Sequence, residues 1–214
     1  MLDVEERRAA VVAAENSGDP ERLDQARQAY LEADGGGAYA ADVRYRLGLS
    51  RLFRHQDTDG AIELFKAAAG EKSAPIAPEA RISLALCLSA KAKRQQAIFE
   101  LRKLLPEGVV PSIHTAQALD FLSMLLRDSG APQKDLIAVD EQRKSHLRIL
   151  AGAASDPLEM AQWLLRLAAA WQEGGTPMDL QQAKKVYDDV IKLGPAAGDS
   201  AVTAARFAHK NLPR

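Results

Sequence analysis

Aromatic side chains make up only 5% of this 214-residue chain, and it holds a single cysteine, Cys87. One cysteine excludes an intramolecular disulfide framework, so burial has to hold the fold. Cys87 lies in the apolar run 84–88 and reads as a small buried hydrophobe. A dominant charge is missing as well. With 28 basic and 29 acidic residues the formal net charge is −1, which leaves no electrostatic footprint for nucleic acid or an anionic membrane. No stretch approaches the ~20 consecutive apolar residues of a membrane span. No segment sustains the period-two alternation of a half-buried strand. The N-terminal segment lacks a basic n-region, an uninterrupted apolar h-region and a cleavage signature. The expectation is a soluble, cytoplasmic protein without membrane insertion. A periplasmic location is the alternative for a chain whose signal sequence has been removed.

What the chain does have is alanine at helical spacing and an apolar fraction of 47%. Ala26/Tyr30/Ala33, Ala61/Phe65/Ala68, Ala97/Leu101/Leu104 and Ala183/Tyr187/Val190 each step by four and then three residues, which places each set on one stripe of one helix. Their first residues are 35, 36 and 86 positions apart, and 86 is two intervals of 43. A helical unit recurring at such a period is the signature of stacked helix pairs.

The punctuation predicts eleven helices, at 4–17, 20–34, 39–55, 58–69, 78–92, 94–105, 112–129, 133–150, 157–173, 179–193 and 196–211. Asp19-Pro20 and Asp156-Pro157 put an N-cap before a proline at the first helical position. Gly35-Gly36-Gly37, Gly70, Gly130, Gly174-Gly175 and Gly194-Pro195 supply stops. Short connections make consecutive helices antiparallel neighbours.

The stretch from Tyr45 through Leu47-Gly48-Leu49 to Gly60-Ala61, Phe65 and Ala68 resembles a tetratricopeptide repeat. In that family a Leu-Gly pair sits in the first helix and an Ala-x-x-x-Phe-x-x-Ala stripe in the second. Gly48 and Ala61 match the two small positions where the helices cross, and a large side chain at either would push them apart. Ala85 and Ala97 fit the same positions in the next unit, and Ala168 and Ala183 fit them near the C-terminus, followed by Pro195. The N-terminal unit matches in its second helix only. The fourth departs most: Leu122-Ser123 stands in for Leu-Gly, and 133–150 lacks the stripe. The resemblance implies an all-α fold: a right-handed superhelical array of antiparallel helix pairs in a single domain over 1–214. Its units run at about 3–34, 38–70, 75–105, 111–152 and 156–194, and a capping helix covers 195–211.

No residues are assigned to catalysis, to a cofactor or to a metal. Asp57-Thr58-Asp59-Gly60 resembles the centre of a calcium loop, but Lys66 takes the closing position where a bidentate glutamate belongs. The turn reading, with Asp57 as an N-cap, is preferred. His55, His114, His146 and His209 are scattered over different units without i, i+4 spacing and read as surface or groove histidines. Gly35-Gly36-Gly37 lacks the Lys-Ser/Thr of a phosphate loop, and no serine stands in a Gly-x-Ser-x-Gly elbow. The run Lys91, Lys93, Arg94 reads as a solvated turn.

The resemblance assigns the first helix of each pair to a concave face. The candidate partner-binding residues are Asp42, Tyr45, Leu49 and Leu52, then Glu79, Ile82 and Leu86, then Gln117, Asp120, Met124 and Arg127, and Leu165. Their centre is apolar and their rim polar, the pattern of a site for a helix or extended segment. The family's carboxylate clamp for chaperone C-termini is absent, because Tyr45 and Leu49 occupy its positions. The expected function is a non-enzymatic scaffold or adaptor for a protein or peptide partner. One alternative is a self-assembling dimer or larger homo-oligomer. Another follows from 75–81 and 199–206, which resemble repeats of bacterial envelope tetratricopeptide proteins that act in cell-envelope assembly. An enzyme is the distant alternative.

Overall fold

The computed structural model describes residues 4–33 and 36–213. The expected helix end at Asp34, the first glycine at Gly35 and the unit start at residue 3 lie outside them. The described residues form eleven α-helices and no strand. The chain divides into two compact units, residues 1–104 and 105–214.

The first unit contains α1 (Val4–Ser17), α2 (Pro20–Ala33), α3 (Gly37–Phe53), α4 (Thr58–Gly70), α5 (Ala77–Ala90) and α6 (Arg94–Arg102), each packed on the next. Asp19 accepts from the Glu21 and Arg22 amides, and Asp57 from the Gly60 amide at 2.8 Å. These side chains satisfy orphan donors at the two helix starts, so both aspartates cap as expected. Asp59, beside the cap, pairs with Lys91 at 2.8 Å.

The stripes point inward. Ala61, Phe65 and Ala68 are fully buried, as are Ala97 and Leu101. Leu104 falls beyond the end of α6, and Ala33 is exposed at the end of α2. Gly48 lies against Phe65: a Cβ there would come within 2.7 Å of the ring. The residue is small because α3 and α4 cross there. Tyr45 stacks at a tilt on the same ring, 5.6 Å between centroids. A second cluster of Val11, Tyr30, Ala40 and Val43 joins α1, α2 and α3.

The second unit contains α7 (Ile113–Asp128), α8 (Gln133–Ala153), α9 (Pro157–Gly174), α10 (Pro177–Leu193), a 3-10 turn (Gly194–Ala197) and α11 (Asp199–Lys210). Its core gathers Leu147, Ala161, Leu167, Ala168, Ala183, Tyr187 and Val190 with Val202 and Ala205 of α11. α8 runs to Ala153, three residues past its expected end, and two helix starts in this unit move for local reasons. Thr176 and Asp179 form a capping box, which starts α10 two residues early at Pro177. Gly194 and Gly198 have positive φ and bracket the 3-10 turn, which delays α11 to Asp199.

Candidate functional site

In the first unit the expected partner face lies on α3 and α5. The Tyr45 hydroxyl donates to Glu79 Oε1 at 2.9 Å, a bond across 34 residues that ties the two helices side by side. Burial, and the neighbouring Glu79 carboxylate, hold the phenol above its ordinary pKa, so it remains a donor. Leu49, Leu52 and Ile82 are half-buried, and Leu86 is 50% exposed. Asp42 pairs with Arg46 one turn on at 2.7 Å. This face has an apolar centre and a polar edge.

The equivalent face of the second unit is different in kind. Asp120 and Arg127 stand seven residues apart on α7, and Arg166 and Glu173 stand seven apart on α9 with the signs reversed. Asp120 pairs with Arg166, and Arg127 pairs with Glu173. Both contacts span 46 residues, so one register joins the two helices. From α8, Arg143 reaches both Asp120 and Glu173, the latter at 2.6 Å, while Asp140 takes Arg127 at 2.7 Å. Ser123 completes the set by donating to Asp140 at 2.6 Å. Three carboxylates meet three guanidinium groups, so the network is neutral. Burial alone would raise the Glu173 carboxyl, but hydrogen bonds from Arg143 and Arg127 outweigh it and hold the group below the usual carboxylate range.

Beside this network Lys144 is buried. Its ammonium pairs with Asp179 at 3.2 Å and sits 4.0 Å from the centre of the Trp171 ring. His146 is buried too, hydrogen-bonded through Nδ1 to Thr115 Oγ1 at 3.2 Å, and burial lowers its pKa. The surface or groove reading of this histidine is therefore corrected. It lies on the inward side of α8, where α7 covers it.

Of the expected site residues, Tyr45 and Glu79 are bonded to each other, and Asp120 and Arg127 enter one network. Gln117 and Met124 are exposed, and Leu165 packs partly against the second unit's core. The residues that sequence reasoning missed are Asp140, Arg143, Arg166 and Glu173. A signal for two of them was present. Asp-x6-Arg at 120–127 and Arg-x6-Glu at 166–173 are charge-complementary at one constant shift.

No protein-family model matches the chain, and no curated protein matches it in sequence. Among solved structures, the crystal structure of BtubC (BKLC) from P. vanneervenii is similar, with a TM-score of 0.55 and 16% identity. The match covers 99% of this chain and 82% of that one. At that identity the likeness concerns fold alone. By architecture the chain is an all-α helical-repeat protein. No helix among the described residues is long and apolar enough to cross a membrane.

Proposed function

We propose that this chain is a non-enzymatic interaction scaffold of the tetratricopeptide-repeat kind, and that it holds a segment of a partner protein against the α3/α5 face mainly through apolar contacts. The observation that carries this reading is the contrast between the two units. The α7/α9 face is bridged by its own ion pairs on either side of Met124, which stays exposed. The α3/α5 face keeps Leu86 half in solvent beside Leu49, Leu52 and Ile82, with the Tyr45–Glu79 bond holding the helices in place. A partner that finishes burying a half-exposed leucine gains about half of the full transfer value, roughly 1 kcal/mol per side chain.

The test is capture of partners from a bacterial lysate by the wild type and by Leu49→Glu and Leu86→Glu. Both substitutions replace side chains that retain solvent contact, so helical content by circular dichroism stays at the wild-type level. The expected result is loss of captured proteins in both variants. Normal capture by both removes the α3/α5 face as the site.

A further inference from the structure

A separate cleft of about 470 Å³ lies between α2 and α3 in the first unit. Leu47 and Arg51 line it from α3, on a stripe distinct from that of Tyr45, Leu49 and Leu52, and His55 lines it from the turn that follows α3. Across from them, α2 contributes Glu21, Asp24, Gln25, Gln28 and Glu32, with Ala29 adding to the apolar lining of Leu47.

The charges in this cleft are unequally satisfied. Asp24 is engaged by the Ser50 hydroxyl, Arg54 and His55, and Arg27 lies 3.8 Å away. Arg51 is shared with Asp57 at 3.9 Å. Glu21 and Glu32 are exposed, and among the described residues neither forms an ion pair. The cleft is therefore lined mostly by polar residues, with Leu47 and Ala29 its apolar part, and it holds two free amide side chains and two carboxylates without counter-ions against one cation, Arg51, that already faces Asp57.

We infer that this cleft receives an extended basic segment of a partner protein. Charge complementarity sets the sign of the occupant, because two unsatisfied carboxylates attract cations and repel an acidic chain. The spacing sets its form. Eleven residues of helix separate Glu21 from Glu32, about 16 Å at 1.5 Å per residue, which an extended chain spans in about five residues. The Gln25 and Gln28 amides stand between them and can both donate to and accept from an extended main chain. A helical occupant would have no free main-chain groups to offer them. The cleft is also of the size that holds a few side chains. Lysine or arginine at the ends of such a segment would meet the two carboxylates.

The test uses fluorescence anisotropy with the intact chain. The probe is a labelled ten-residue Ser/Thr/Val peptide carrying two lysines five positions apart, and the control carries glutamates in their place. The expected result is binding of the dibasic peptide that weakens with added salt and falls about tenfold or more in Glu21→Lys/Glu32→Lys. Both substituted residues are exposed, so the variant keeps its fold. Leu86→Glu leaves this binding unchanged, which separates the cleft from the α3/α5 face. Absence of dibasic-peptide binding, equal binding of the acidic control, or an unaffected double variant overturns the proposal. A concentration-dependent dimer of the wild type that the double variant abolishes also overturns it, in favour of a second copy as the occupant.

Discussion

Ser123 donates its hydroxyl proton to Asp140 across the contact between α7 and α8, with Oγ 2.6 Å from Oδ1. Ser123 is fully buried and stands where the clearer repeat has Gly48. The position keeps a small side chain, as a close crossing requires, but carries a hydroxyl into an ionic network. Ser123→Ala removes a hydrogen bond from a carboxylate that retains Arg127, and the expected loss is about 1–2 kcal/mol. Guanidinium denaturation measures it. A midpoint equal to the wild type's would mean that the hydroxyl contributes nothing.

Arg143 joins Asp120 and Glu173 from a buried position, its side chain only 8% exposed. Arg143→Met keeps most of the stem's packing and removes the charge, while Arg166 and Arg127 still serve the two acids. Because those acids retain solvent contact, the cost is less than that of breaking a fully buried pair, about 1–3 kcal/mol. A double-mutant cycle with Glu173→Gln checks the network directly. The two losses are expected to be non-additive by more than about 0.5 kcal/mol.

The second unit is expected to lose stability in acid in two stages. Glu173 and Asp179 have folded pKa values below their ordinary 4.5 and 3.8, despite opposing burial, because Arg143 and Arg127 hold one and Thr176 and Lys144 hold the other. Their contribution is complete above those ordinary values and is lost as pH falls through the lowered ones. His146, lowered by burial, is folded as the neutral ring, so its contribution is complete above 6.5 and declines below it. Thermal melts from about pH 8 to about pH 3 check the sign. His146→Gln should flatten the upper stage alone.

Two glycines in helices should respond oppositely to alanine. At Gly48 a methyl group would meet the buried Phe65 ring at 2.7 Å, so overpacking of about 1–3 kcal/mol outweighs the ~1 kcal/mol gained in helix propensity. At Gly152 in α8 nothing lies within 4 Å of the added carbon, and alanine should stabilise by up to ~1 kcal/mol. Chemical denaturation of the two variants reads both signs. Stabilisation by Gly48→Ala would mean that Phe65 yields without cost.

Much of the fold was legible in the sequence because it rests on local rules. Asp19, Asp57 and Asp156 cap helices where a short polar side chain precedes a helical run. The stripes of α4 and α10 are buried because their period matches the helix, whereas the α2 stripe ends in an exposed Ala33. The second unit's face was less legible. Asp120 and Arg127 were recognised as neighbours on one helix, but their partners lie 46 positions away, and Arg143 arrives from a helix of different register. A charge on a helix surface has the same local signature whether it meets solvent or another helix.

The sequence alone determined the helical units, their caps and the small residues at their crossings, because each follows from spacing within about ten residues or from a repeated period. The tertiary structure decided which charges are satisfied. It bridged the α7/α9 face with Arg166, Glu173 and Arg143, and it buried His146 and Lys144. It left Glu21 and Glu32 without counter-ions beside α3. Ion pairing depends on distances between side chains remote in the chain, and only packing sets those distances.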